Sequence, residues 1–476
     1  MTTIKNHIHF LGIGGIGVSA LAQVAQARGA MVSGSDLHLD PHSNPAVARL
    51  LAGGAILYRE HRAENLSPDV SLVIASAAIG SDNPEILAAR ERGIRIVSRA
   101  DFLGELMAAH KGPKIAIAGT HGKTTTTGMI GVMLQHAGLD PTVFVGGEVA
   151  QLGGNVRIGK QEGPFVAEAC EAYSSFLSLN PDIIVLTNIE AEHLDHYGTP
   201  ENVLKGYQRF LENLRPLIGE IVINADDLNT LEVLGGINFP YLLHTFGMGH
   251  DAQFRAAHIT EEGRTAFDWI SPTGQAHITL KVPGRHNVMN ALAAATVGRL
   301  LEIPEADIAA GLSAFRGAGR RQEILGEIPF ADGSILVMDD YAHHPTEIRA
   351  TLDALRSAYP RRRLVPVFQP HLYSRTRDFL PEFAKVLSEA NVLLVTDIYA
   401  AREAPLPGVH AADIAQKAGV LHPQAKALYL PEKRDIPEML AALVCPGDLV
   451  VFLGAGDIRD EGEAFVQLLQ ERSAKG

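Results

Sequence analysis

Cysteine is nearly absent: the 476-residue chain has two, Cys170 and Cys445. Two thiols cannot build a disulfide framework, and their scarcity suits a reducing compartment. Long hydrophobic runs are missing as well. No stretch reaches bilayer-spanning length, and the N-terminal MTTIKNHIHF has no apolar core of the secretory-leader kind. Nor is positive charge in excess. A formal net charge of −13 argues against a general nucleic-acid binder, which needs a basic face, but small anions stay open because a few local donors decide such sites. There is no low-complexity tract, and no internal repeat beyond a strand–helix rhythm. With 46% hydrophobic and 20% charged residues the composition is ordinary and globular. The expectation is a cytoplasmic protein with no membrane segment, too long for a single core.

What is present is alternation of strand and helix almost from end to end, which predicts parallel sheets with crossover helices and an α/β fold. IHFLGI, SLVIASAAI and IRIVS are strands of a first block, which closes with ADFLGELMAAH and the breaker Gly112-Pro113. KIAIAG opens a second block with FVAEA, DIIVLTNI and EIVINADD; polar antiparallel strands are expected near 251–283, then the helix NVMNALAAATVGRLL. GLSAFRGAGRR reads as a Gly-rich basic linker into a third block with ILVMDDY, RLVPVFQ, NVLLVTDI and DLVVFLGAG. The expected domains are 1–112, 113–318 and 319–476.

HFLGIGGIGVSALAQ carries G-x-G-x-x-G as Gly12, Gly14 and Gly17, with Asp36 where a second strand ends. Alone, that is a dinucleotide fingerprint and would point to an NAD-dependent dehydrogenase. The physics is less specific: a Gly-rich turn at a helix N-terminus needs only a diphosphate that the backbone can approach. The more specific signal is KIAIAGTHGKTTTTGMIGVML. A buried strand enters a loop with Gly119, Gly122, Lys123 and Thr124, then a helix, so backbone N–H groups face phosphate oxygens. Lys123 adds a point charge for the β/γ-phosphates and the Thr124 hydroxyl suits Mg²⁺, predicting an ATP site even though Ile117 stands where the strict motif has Gly. Glu168 and His193 follow later strands of the same block and are candidate metal ligands at the C-terminal sheet edge. In the third block DDYAHHPTEI and FQPHLYSRT each follow a strand and lead into a helix, as one wall of a site; Thr346 and Glu347 also suit a helix cap. His343-His344 finds no Cys/His spacing that would close a zinc site.

These motifs in this order, with DNPEILAARERGI, GRHNVMNALAA, REAPLPGV and the closing GAGDI, resemble the Mur ligases along essentially the whole chain. The resemblance implies a UDP-binding domain, a central ATPase domain and a C-terminal domain that closes on the nucleotide. The activity it implies is ATP-dependent ligation of L-alanine to the carboxylate of UDP-N-acetylmuramate through an acyl phosphate, by a monomer or homodimer. Gly12, Gly14, Gly15, Gly17, Ser35, Asp36 and Ser76 then become the UDP-substrate anchor. Gly119, Thr120, Gly122, Lys123, Thr124 and Thr125 serve the phosphates, and Thr124, Glu168 and His193 the metal ions. By the same resemblance His286 and Asn290 meet adenine, Arg321 the γ-phosphate and Asp340 the ribose, while His121, Tyr341, His343 and Arg375 surround the reacting carboxylate and amino acid. Three departures stand out: Cys170 and Glu192 replace aspartates common in the family, and Leu372 replaces an arginine. Lys205 lies near the region where several members carry a carbamylated lysine, but this branch need not use one. A relative that attaches a whole tripeptide instead of L-alanine is the nearest alternative. A dehydrogenase would leave GTHGKTTT and the third block without a role.

Overall fold

The computed structural model describes residues 7–41, 44–215, 217–236, 241–401 and 403–474. The N-terminal MTTIKN and Arg402 of REAPLPGV lie outside the described residues. The chain divides into two compact units. One runs to His258 and takes in Phe267–Thr279 and Met289–Arg316; the other has Ile259–Ala266, Leu280–Val288 and everything from Gly317. Among the described residues the strands form three sheets, and no helix is long and apolar enough to cross a membrane.

Runs such as IIVL (Ile183–Leu186) and DLVVFL (Asp448–Leu453) are buried at every position, so they become central strands covered on both faces. The first unit holds two sheets. The smaller is wholly parallel, in the order Ile56–Tyr58, Met31–Ser35, His7–Leu11, Val70–Ala75, Arg95–Ser98. Its order reverses at His7–Leu11, and ligands of open α/β sheets bind outside the strand ends at that point. The ten-stranded sheet has a parallel centre in which Lys114–Ala118 lies between Phe165–Glu168 and Ile183–Leu186. Gly154–Arg157 closes one edge, and Phe254–Thr260, Ala266–Ser271 and Gly274–Thr279 extend the other, where polar strands were expected.

The two sheets of this unit share one hydrophobic cluster, in which Phe10, Phe102 and Leu103 join Phe176, Leu179 and Phe210. A polar stitch runs beside it. Asn155 is fully buried; its Nδ2 donates to the Ile16 carbonyl (2.6 Å) and Ser19 Oγ (3.0 Å). Its Oδ1 accepts from Gln23 Nε2 (3.0 Å) and Arg49 Nη2 (3.1 Å), so every donor and acceptor of the amide is used.

The second unit is a six-stranded sheet in the order Glu323–Phe330, Gly333–Asp340, Asp448–Leu453, Arg363–Phe368, Val392–Val395, Lys426–Tyr429. The first pair is antiparallel and the remainder parallel. Two details correct the sequence reading. GLSA is the last turn of the helix Glu305–Ala314, because Ile308 and Leu312 bury one face of it; the linker starts only at Phe315. EILGEIPF, which carried no strand expectation, pairs with Gly333–Asp340; Glu, Gly and Pro dilute its apolar pattern, as suits an edge.

Candidate active site

The first Gly-rich loop sits at the reversal point of the small sheet. Gly12 and Ile13 N–H both donate to the Ser35 carbonyl (2.8 and 3.2 Å), and Gly12 takes a φ of +76° that brings it against Ser76. Asp36 braces the turn: its oxygens accept the Gly14 N–H (3.0 Å) and the His38 N–H (2.9 Å). The helix Ile16–Ala27 starts on Gly15 with no side-chain cap, so its first N–H groups suit an anion. Gly17 faces the half-buried Arg99, a cation that sequence reading missed because it belongs to a helix start far along the chain. Gly12, Gly14, Gly15, Gly17, Ser35, Asp36 and Ser76 therefore do come together.

The second loop follows the same logic with more charge. Gly122 is the N-cap of Lys123–His136 in a left-handed conformation (φ +82°), and a side chain there would collide with Asn290 Oδ1. Asn290 Oδ1, expected to meet adenine, accepts from Thr126 Oγ1 (3.2 Å), which holds it beside the loop. Thr120 is tied to the neighbouring strand end through Asn188 O (2.8 Å) and the Glu190 N–H (2.8 Å), while Thr125 lies buried in the helix's first turn. The His121 ring pairs with Glu190 (3.3 Å).

Thr124 meets the predicted acid Glu168, whereas Lys123 meets Glu171, an acid the sequence reading did not single out. Thr124 Oγ1 donates to Glu168 Oε2 (2.9 Å), which also takes the Gly146 N–H (2.9 Å). Lys123, its side chain largely covered, lies 3.0 Å from the buried Glu171. Burial alone would lower the lysine's pKa, but the neighbouring negative charge, Glu171 foremost, outweighs it and keeps the ammonium charged. His193 does not touch Glu168; it stands with Glu171 and Glu192, their ligating atoms all within 4.8 Å. Its φ of 55°, and those of Tyr173 (53°) and Ser174 (54°), place three non-glycine residues in the left-handed region around this cluster. Glu171 is the main residue missed here, although EACEAY displayed it; only the fold brings the Glu192-His193 segment beside it. Burial, then Glu171, pushes the Cys170 thiol up, so this position beside Glu171 carries a neutral group. Lys205 is exposed on the helix Pro200–Leu211.

In the second unit the strand end Asp340 starts a continuous chain of contacts. The guanidinium groups of Arg320 (5.0 Å) and Arg321 (5.1 Å) both lie over the Tyr341 ring. That ring meets His343 edge-on, His343 meets His371, and His371 stacks on Tyr399 (5.8 Å). Arg375 Nη1 donates to His371 Nδ1 (3.2 Å). His344 caps the helix Pro345–Ala358 in a capping box with Glu347, whose carboxylate also takes the His343 N–H (3.0 Å) and approaches Arg321 (3.8 Å). Asp340 accepts the N–H groups of Gln322 and Ala342 (both 2.8 Å), and burial raises its pKa to about 6. His286 lies beside Gln322 and is pushed down to about 4, by burial first and Arg321 second. Arg320, Glu347 and Tyr399 joined this set only through the fold. Leu372 has a φ of 70°.

Two phosphate-type loops with an acid-and-histidine cluster beside one of them, and an Arg–Tyr–His wall, define a nucleotide-handling α/β protein of three sheets. Family models match in chain order: "Mur ligase family, catalytic domain" over residues 7–111, "Mur ligase middle domain" over 117–298 and "Mur ligase, glutamate ligase domain" over 320–456. The chain belongs to the Mur ligase family. It is 43% identical over 472 residues to the UDP-N-acetylmuramate–L-alanine ligase of Trichlorobacter lovleyi, covering 97% of this chain and 98% of that one. The Geobacter sulfurreducens enzyme of the same name is 43% identical over 468 residues, with 98% of each chain covered. The crystal structure of the UDP-N-acetylmuramate-alanine ligase of Thermotoga maritima aligns with a TM-score of 0.83 at 30% identity, over 98% of this chain and 99% of that one.

Proposed function

We propose that this chain ligates L-alanine to the carboxylate of UDP-N-acetylmuramate at the expense of ATP, in the cytoplasm, as a step of peptidoglycan precursor synthesis. The observation that carries this reading is the match along the full chain to ligases of that name. The site fits the nucleotide: a left-handed glycine starts the helix, and a largely covered, charged lysine and a threonine paired to a glutamate follow it. Thr124 with Glu168, and His193, would hold magnesium ions, which when bound offset the negative charge of the transferring phosphoryl group.

Lys123 and the loop N–H groups orient the triphosphate, while Gly12 to Gly17, Ser35, Ser76 and Arg99 anchor the UDP diphosphate and Asp36 braces that turn and faces the ribose. A carboxylate oxygen attacks the terminal phosphorus as its bond to the ADP oxygen breaks. The amine of L-alanine, having lost a proton, attacks the acyl carbon, and the bond to phosphate breaks. In the second unit His286, Arg321 and Asp340 serve the base, γ-phosphate and ribose, and Tyr341, His343 and Arg375 receive the amino acid. His343 Nδ1 lies 2.8 Å from the Tyr341 carbonyl, so Nδ1–H donates there and Nε2 is the nitrogen suited to accept a proton. His121 is held by Glu190 beside the phosphate loop.

The deciding measurement is ADP release with UDP-N-acetylmuramate and a panel of L-alanine, glycine, L-serine and the L-Ala-γ-D-Glu-diaminopimelate tripeptide. Turnover is expected with L-alanine; turnover with the tripeptide alone, or none without NAD, would overturn the reading.

A further inference from the structure

Lys123 Nζ has three protons to give. The Gly119 and Thr120 carbonyls take two of them, at 2.5 and 2.9 Å, and Glu171 takes the third, with its oxygens at 3.1 and 3.0 Å. Lysine and glutamate are both nearly inaccessible, so water does not dilute the pair. An incoming phosphate oxygen needs one of those donors. The carbonyls belong to a loop pinned by Asn188, which accepts the Thr120 N–H (2.8 Å) and the His121 N–H (2.9 Å), and they cannot withdraw without unmaking the turn. The group that has to leave is therefore the Glu171 carboxylate. Its own backbone is anchored, since the carbonyl accepts the Ser174 N–H (2.9 Å) and the Tyr197 hydroxyl (2.8 Å), so departure is a side-chain rotation. On its far side His193 Nε2 stands 3.8 Å from Oε1.

We propose that Glu171 is an internal stand-in for nucleotide phosphate: it competes with the β/γ-phosphates for Lys123, keeps the loop formed between turnovers, and thereby weakens nucleotide binding. This rests on Lys123 being the phosphate ligand of the proposed function. The competition is specific to phosphates that reach Lys123, which separates it from a general effect of removing a negative charge.

Titration calorimetry of the full chain in magnesium-free buffer, with ADP and AMP as probes, tests it. Glu171→Gln is expected to bind ADP about tenfold tighter than the native chain, the worth of one charge-assisted hydrogen bond, with AMP affinity unchanged. Glu171→Asp, whose carboxylate falls short of Nζ while keeping its charge, should tighten ADP in the same direction and guards against a misfolded first variant. With Lys123→Met already in place, Glu171→Gln should change nothing. Unchanged or weaker ADP binding in both Glu171 variants, or equal tightening for AMP or in the Lys123→Met background, would overturn the proposal. Should Lys123→Met itself leave ADP affinity unaltered, the reading of the loop as the nucleotide site fails instead.

Discussion

His286 refuses a proton that the unfolded chain would accept. Its pKa falls from 6.5 to about 4, so between those values the unfolded state binds more protons and stability rises with pH across that window. Acidification from pH 7 to pH 5 should therefore lower the melting temperature of the native chain more than that of His286→Gln, read by calorimetry at both values. Equal losses would show that the ring is not desolvated. Lys123 and Thr124 were legible in the sequence because a GKT turn after an apolar strand leaves few other uses for those side chains. Glu171 was equally visible as a letter and not as a partner. Its meaning depends on burial beside Lys123, 48 positions earlier, and on His193 from another strand end. Arg99 and Arg320 stayed hidden for the same reason, as each acts against a loop that only the packed sheets bring near.

At the level of elements, both Gly-rich loops are strand–glycine–helix turns, and the second depends on Gly122. Any residue but glycine there meets a positive φ and the Asn290 amide at once. Gly122→Ala should weaken ADP binding by more than about tenfold while the circular dichroism spectrum stays native, since one strained turn costs on the order of 1–3 kcal/mol. The central strands were readable from their unbroken apolar runs, whereas EILGEIPF was not: an edge strand is half solvated and its sequence need not alternate cleanly. The capping reading of DDYAHHPTEI and the site reading proved compatible. Glu347 closes the helix cap and, with the same carboxylate, holds His343 and approaches Arg321.

Across the whole molecule, strand–helix alternation announced three sheets, but nothing in it told that the first two would share a core. That union depends on Phe102 and Leu103 meeting Phe176 and Leu179, and on Asn155, a residue unremarkable in GGNVRIG. Asn155→Ala removes the hydrogen bonds that a fully buried amide makes to Ile16, Ser19, Gln23 and Arg49. It should cost about 1–3 kcal/mol, from those lost bonds, seen as a lower denaturant midpoint. A single unshifted transition would refute the stitch.

The stitch has a consequence for substrate choice. The helix Ile16–Ala27 behind the first Gly-rich loop and the sheet that carries the second are fastened to each other at Ile16, Ser19 and Gln23, with Arg49 of the neighbouring helix Pro45–Ala52 joining in. The first unit is then a ruler of set length. Under the proposed function, a nucleotide sugar whose carboxylate lies farther from or nearer to its pyrophosphate should therefore give slower ADP release than UDP-N-acetylmuramate.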